Sequence, residues 1–508
     1  MKSLIRIGAR RSRLAQIQAY NVGRSIKNKF ADCQIEYNFR QSLGDKNLDS
    51  PLWKSPSKGV FTEDFYQDLI QNKCDLVVHS FKDLPTAPRT DTTIAASLKR
   101  EDPRDLIFFR KNIQDQPVKK LNILSSSPRR HYLFESFLKK SLPFDCEGVN
   151  FKDIRGNMET RFKKFLEGDA DGLIMAKAAI DRLIDPQNKD ILSENRMLLL
   201  DCIKQCVFQV APLSQVPCAA AQGALAIECR QNDHELLSML KEINHESTLQ
   251  NIREERTLLK EHGGGCHLKI GIFIEHHEQF YIHSAKGISP KDSKSFSHFE
   301  LINKKEIPSF RKQECWPLQK TTDIFERVAV EAEIPKDANL LISKARALPE
   351  SYTSNKNQLL YASGWSSWQK LARRGHWICG CLDSLGEDSQ YGIQSLKFIE
   401  DKPSKWLKLS HKTATSHKNY PKLSTYQLKA KEINLQELKE CKYFFWTSLS
   451  LFKLIHQKMP EIITATHACG PGNTYQGLKD AGINANKIFL FSDRQAWLKS
   501  IKDVESKV

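Results

Sequence analysis

Apolar positions in the first part of the chain fall into two spacings. Ile5-Arg6-Ile7 predicts a strand, and Ala15, Ala19, Val22 and Ile26 then recur at i, i+4, i+7 and i+11, one face of a helix. The polar link Gly8-Ala9-Arg10-Arg11-Ser12 joins the two. Phe61, Phe65 and Leu69 predict a second helix, and Asp75-Leu76-Val77-Val78-His79 a short buried strand. Met158, Phe162, Phe165 and Leu166 predict a third helix, followed by strands at Gly172-Leu173-Ile174-Met175 and Ala224-Leu225-Ala226-Ile227-Glu228. Strands alternating with helices predict α/β domains. The charged turn Arg100-Glu101-Asp102-Pro103-Arg104-Asp105 reads as a hinge, and Pro212 to Pro217 as the return crossing. A third unit runs from about Asn232 to Leu301, and the remainder beyond a linker is a separate α/β region.

At 508 residues the chain is long enough for three or four domains. There is no run of 18 or more apolar residues, so no membrane span is expected. The basic start Met1 to Gly8 has too short an apolar stretch for a signal peptide, and a cytoplasmic protein is expected. The net charge of +17 favours anionic partners: nucleic acid, a membrane surface or a polycarboxylate. The scattered Lys402, Lys405, Lys408 and Lys412 read as a solvated basic surface. Thirteen cysteines show no zinc-ribbon spacing, Cys202/Cys206 and Cys379/Cys381 being isolated pairs. They read as small buried hydrophobes rather than a disulfide framework.

The arginines of the first 200 positions are different, because they cluster beside Gly, Ser and Pro. Arg10 and Ser12 lie just ahead of a helix. Ser125-Ser126-Ser127-Pro128-Arg129-Arg130 is a turn at a helix start, Arg155-Gly156-Asn157 precedes the helix carrying Arg161, and Arg182 ends the next helix. Helix N-termini offer unpaired N–H groups, and arginine offers a planar cationic fork for carboxylate or phosphate. Several such loops predict a ligand with several anionic groups; each arginine singly is also consistent with a surface ion pair. Lys82 and Asp83 directly follow a buried strand, where open α/β sheets bind ligands. Lys82 can pair with an anion. Asp83 can stabilise a cation, act as acid or base, or simply cap a helix. Gly263-Gly264-Gly265-Cys266-His267 places a thiol at the tip of a glycine loop. His262 and His267 beside Cys266 match no standard metal spacing, so no metal is expected. On residue type alone, Cys266 would be structural.

Together these segments resemble the porphobilinogen deaminase (hydroxymethylbilane synthase) family. The matching stretches are IRIGARRSRLA at 5–15, KGVFTEDF at 58–65, DLVVHSFKDLPT at 75–86, REDPRD at 100–105, SSSPRR at 125–130, IRGNMETR at 154–161, AQGALAIECR at 221–230 and GGGCHLKIG at 263–271. The resemblance implies an α/β fold of two-lobed, periplasmic-binding-protein-like deaminase domains plus a small α+β domain, followed by a C-terminal α/β region. It sets a first domain at 1–99 and 202–230, a second at 100–201, a third at 231–302 carrying the cofactor cysteine, a linker at 303–320 and the C-terminal region at 321–508.

The resemblance also implies roles. Cys266 would hold dipyrromethane by a thioether, and Asp83 would be the catalytic carboxylate. Lys82, Ser127, Arg129, Arg130 and Arg161 would bind the cofactor; Arg10, Ser12, Arg155 and Arg182 would bind substrate. The substrate would be porphobilinogen, the protein a monomer without nucleic-acid or membrane partners. Cys218 stands where this family usually has proline, Ala221 where glycine is common, and Lys269 where proline is common.

The C-terminal region resembles uroporphyrinogen-III synthase. The matches are Leu360-Tyr361-Ala362-Ser363-Gly364, Phe445-Trp446-Thr447-Ser448 and His467-Ala468-Cys469-Gly470-Pro471-Gly472-Asn473-Thr474. That implies a bifunctional chain, cyclising hydroxymethylbilane as well as making it. The span 321–508 is short for the two lobes of such an enzyme, so an inactive or reduced appendage is the rival expectation. A non-catalytic anion-binding protein and a nucleic-acid binder are the other classes; the sequence shows no aromatic–basic interleaving of the kind nucleic-acid binders carry.

Overall fold

The computed structural model describes residues 2–41, 62–87, 89–265, 267–319, 324–399 and 405–501. Cys266, Lys402 and the stretch 58–61 with Phe61 lie outside these residues.

The first lobe opens with β1 (Leu4–Arg10), α1 (Arg13–Lys29), β2 (Gln34–Arg40), α2 (Glu63–Ile70), β3 (Leu76–Ser80) and β4 (Thr92–Ala96). The chain then crosses to β5 (Asp105–Arg110), β6 (Lys120–Leu124), α3 (Pro128–Ser141), β7 (Gly148–Lys152), α4 (Met158–Glu167), β8 (Gly172–Ala176), α5 (Lys177–Ile184), α6 (Lys189–Lys204) and β9 (Cys206–Val210). It returns as β10 (Leu225–Arg230) and α7 (His234–Ile243). The first sheet has the order β2-β1-β3-β10-β4, with β10 antiparallel to both neighbours. The second has the order β7-β6-β8-β5-β9, with β5 antiparallel to both of its neighbours. Two mixed sheets crossed twice by the chain make the two-lobed α/β architecture.

The local reasons are visible in the sequence. Ala15, Ala19, Val22 and Ile26 are all buried on α1, the last three against Ile5 and Ile7 of β1. Pro128 opens α3, where its missing N–H costs nothing, and the Ser127 hydroxyl accepts from Arg130 N. Asn157 caps α4 by accepting from Thr160 N at 2.8 Å.

Three boundaries differ from expectation. Residues 202–210 do not belong to the first lobe: β9 pairs with β5, and Phe208 and Val210 are buried in the second lobe's core. The return crossing is therefore the stretch 211–224. Helix α7 belongs to the first lobe, because Leu236, Met239 and Leu240 pack on Ile5, Ile7 and Ala19. The third domain then begins with α8 (Glu246–Glu261) and continues through the antiparallel sheet β11 (Ile270–His276), β12 (Phe280–Ile288) and β13 (Ser295–Asn303). The expected linker is also part structure. Ile307 and Phe310 pack against Tyr443 and Trp497, and β14 (Cys315–Trp316) joins a C-terminal sheet.

That C-terminal region has two lobes. β15 (Phe325–Ala329), β16 (Asn339–Ile342), β17 (Leu360–Ala362), α9 (Trp365–Ala372), β18 (Ile378–Cys381), β19 (Trp406–His411) and β20 (Lys422–Ala430) precede β21 (Tyr443–Trp446), α10 (Leu449–Lys458), β22 (Thr466–Cys469), α11 (Asn473–Asp480) and β23 (Ile488–Leu490). One sheet has the order β15-β20-β19-β16-β17-β18, the other β14-β21-β22-β23. The first is parallel except for β15, and the second is wholly parallel. Two lobes fit in so short a span because the neighbouring strands β16, β17 and β18 have only three or four residues each.

This region shares a core with the second deaminase-like lobe. The Trp368 indole donates to Ser141 O at 2.9 Å and that of Trp377 to Phe208 O at 3.0 Å. Trp365 stacks on Phe137, and Phe398 sets its edge against Phe208. On the other side, Asn303 at the end of β13 exchanges two hydrogen bonds with the backbone of Leu490, at 2.8 and 2.9 Å.

Candidate active site

The turn Phe81–Asp83 caps the carboxyl end of β3 and carries Lys82 and Asp83. Across from it stand the N-terminal ends of α3 and α4, with Arg129 and Arg130 on the first and Arg155 just ahead of the second. The two loops are tied together, since Ser126 Oγ donates to Ile154 O and accepts from Ile154 N. Arg161 reaches back one turn of α4, its Nε donating to Gly156 O at 2.9 Å.

Charge binds this group together. Burial pushes the Lys82 ammonium down, Asp83 opposes the shift, and the nearby Arg130 adds to it. Arg161 is likewise lowered by burial and by Arg130 and Arg155, with Asp83 opposing. So Lys82, Arg129, Arg130, Arg155 and Arg161 converge on one cleft with Asp83 and Asp105 as the counter-charges. Asp105 is already committed: fully buried, it accepts from Arg129 Nη2 at 2.7 Å, Arg130 Nη2 at 2.8 Å and Gln222 Nε2 at 2.9 Å. Burial works against its charge, but the two arginines hold its carboxyl well below the usual range. Asp83 is exposed and makes no hydrogen bond to a described residue; the Arg155 guanidinium has no partner among them either. Such a surplus of cleft cations fits a ligand bearing several carboxylates.

The expected residues do not all face this cleft in the same way. Arg129 is buried and spends Nη1 on Pro217 O, 2.9 Å away, and Nη2 on Asp105. Arg182 is buried against the return crossing, with Nη2 donating to Gly223 O at 2.6 Å. Ser127 serves as the α3 cap. Ser12 occupies the cap position of α1 without a side-chain capping bond, and Arg10 ends β1 on the first-lobe rim. His262 stacks on Phe296 with ring centroids 5.2 Å apart. The loop ahead of Cys266 is sharply turned, with Gly263, Gly264 and Gly265 at φ of 96°, 60° and 128°.

Residues 5–238 match the family model described as porphobilinogen deaminase, dipyromethane cofactor binding domain. The porphobilinogen deaminase of Nostoc sp. is 35% identical over 274 residues, covering 53% of this chain and 77% of the relative. That of Chlorobium phaeovibrioides is 37% identical over 275 residues, covering 54% of this chain and 79% of the relative. The chain belongs to the porphobilinogen deaminase family. Dipyrromethane is accordingly the cofactor. Among solved structures, the periplasmic aliphatic sulphonate binding protein of Escherichia coli covers 51% of this chain and 71% of its own, at 11% identity and a TM-score of 0.25. That likeness is too loose to bear on the site.

Several residues in and around this cleft escape a reading of the sequence. Asp105 closes a charged turn that predicts only a hinge, yet it orients two arginines. Arg100 and Glu255 form a buried pair, at 2.6 Å, that joins the outgoing crossing to α8. Glu255 also accepts from Ala221 N at 2.7 Å and Ile274 N at 2.9 Å. Ala221 has a φ of 66°, the left-handed region, which gives the usual glycine at this position a physical reason. Glu255 holds it there. The only sequence signal for Glu255 and Arg256 is a run of charges on a helix, indistinguishable from a solvated face.

Proposed function

We propose that this chain is a hydroxymethylbilane synthase, condensing four porphobilinogen molecules head to tail with release of ammonia and then hydrolysing off hydroxymethylbilane. The observation that carries the reading is the convergence of an exposed carboxylate, Asp83, which makes no hydrogen bond to a described residue, with Lys82, Arg130, Arg155 and Arg161. When bound, dipyrromethane on Cys266 supplies the pyrrole to which each new unit is joined. Loss of ammonia from porphobilinogen leaves a cation delocalised through the pyrrole nitrogen. The exposed Asp83 carboxylate can accept from that N–H and offset its charge. In a partly desolvated cleft such an interaction is worth several kcal/mol, about 3 as an order of magnitude. Arg155 and Arg161, with Lys82, bind the acetate and propionate groups. Arg129 and Arg130 are held in place by Asp105, so they supply fixed positive charge at little entropic cost. Arg10, Ser12 and Ser127 are assigned to the same ligand, as is Arg182 from its buried place against the return crossing. The test is a mass measurement and an ammonia assay. The purified protein should carry a dipyrromethane increment on Cys266 and release ammonia from porphobilinogen; an unmodified, inert protein would overturn the reading.

A second activity is favoured by the two parallel sheets of the C-terminal region, which we read as a uroporphyrinogen-III synthase. β15 and β20, which pair antiparallel, join its lobes. Between the lobes the turn Gly470–Asn473 approaches the loop after β18, where Asn473 Nδ2 donates to Glu387 Oε1 at 2.9 Å. Ser448 at the head of α10, Ser343 after β16 and Ser363 after β17 stand at strand ends, where polar backbone and hydroxyl groups can hold propionates. Incubation with porphobilinogen should yield the type III uroporphyrinogen. The type I isomer alone would mark the region as an appendage.

A further inference from the structure

Helix α8 runs straight into the glycine loop, and one of its side chains leaves the third domain for the first. The Arg256 guanidinium donates to the carbonyl oxygens of Phe81 at 3.4 Å, Leu84 at 3.2 Å and Pro85. It also lies over the Phe81 ring, 5.2 Å from the centroid. These carbonyls bracket Lys82 and Asp83. The turn itself has one internal closing bond, Leu84 N to Phe81 O at 3.2 Å, so its shape is set from outside. A second contact lies nearby. Gly264 sits so close to Thr86 that a Cβ on it would come within 2.8 Å of the Thr86 hydroxyl oxygen. The anchor loop and the catalytic turn are thus joined at two points on one side of the cleft. Arg130, Arg155 and Arg161 belong to the other side.

We propose that Arg256 is a positioning residue that holds the Lys82-Asp83 turn in register with the loop ahead of Cys266, so that the turn and that loop move as one body. The proposal rests on the deaminase reading above.

The test uses the full chain with Arg256→Met and Arg256→Lys. Hydrogen–deuterium exchange of peptides covering residues 76–87 is read first, before any porphobilinogen is added. In Arg256→Met these amides should exchange about tenfold faster while α8 keeps its protection. Arg256→Lys should fall between, because lysine keeps the charge but lacks the fork that spans three carbonyls. With porphobilinogen, Arg256→Met should lower kcat by about 10- to 100-fold and leave KM within about threefold. Wild-type exchange in 76–87 would overturn the proposal. So would faster exchange spread throughout α8, which would make Arg256 a merely structural residue. Should the wild-type protein release no ammonia, the deaminase reading fails, while the exchange data still decide whether Arg256 holds the turn.

Discussion

The Arg104 guanidinium donates to the hydroxyl of Tyr361 at 3.1 Å across 257 positions of sequence. Both side chains are buried, and Arg104 also holds Asp102 at 2.7 Å and Ser395 Oγ at 2.8 Å. The outgoing crossing of the deaminase and the C-terminal region are therefore one polar cluster. Tyr361→Phe removes a single bond and leaves Arg104 its other partners. It should cost about 1.5–3 kcal/mol in urea unfolding, the range for a hydrogen bond from a charged donor. An unchanged midpoint would mean that the two regions are not coupled through this contact.

The cleft arginines should separate into two kinds. Arg155, whose guanidinium has no partner among the described residues, should act on substrate alone: Arg155→Gln is expected to raise KM about tenfold, with stability unchanged. Arg129→Gln breaks a buried ion pair and should cost about 3 kcal/mol of stability. Steady-state kinetics beside thermal melts distinguish them, and equal effects of both variants on melting would contradict the assignment.

Asp83→Asn keeps the shape of the turn but loses the charge. Because Asp83 is exposed and makes no hydrogen bond to a described residue, the melting temperature should stay put. Ammonia release should fall by about a hundredfold or more. Turnover within a few-fold of wild type would remove Asp83 from the chemistry.

His467 sets a pH limit on the C-terminal lobe. It is fully buried and accepts a hydrogen bond on Nδ1 from the Trp446 indole at 2.9 Å. Burial pushes its imidazolium down to about 4. The folded state thus favours the neutral ring, so the stability it contributes is present above the ordinary value near 6.5 and is lost as pH falls through about 4. Trp446 fluorescence should report unfolding at falling temperatures across that window. His467→Asn, which keeps an acceptor but does not titrate, should flatten the dependence.

What could be read from the chain was local. The buried stripe of α1, the Ser127-Pro128 start of α3, the strand ahead of Asp83 and the turned glycines before Cys266 are all written in adjacent residues. What could not be read was partnership at a distance. Periodicity says which face is buried but not against what, so β9 and α7 fell on the wrong sides of their boundaries. Arg129 and Arg130 announce a binding loop, yet nothing near them says that Asp105 will take a share of both. Trp365, Trp368 and Trp377 look like the private core of a C-terminal domain, and in the folded chain they cover Phe137 and Phe208 of another.

The strand order of the first sheet carries a consequence for synthesis. β3 and β4 are not neighbours; β10 lies between them, and it is made after the entire second lobe. As the chain leaves the ribosome, the contiguous stretch 105–210 can close its sheet while the earlier lobe still waits for the strand that joins β3 to β4. The lobe begun first is finished second, and Asp83 reaches its place only when residues 225–230 have emerged.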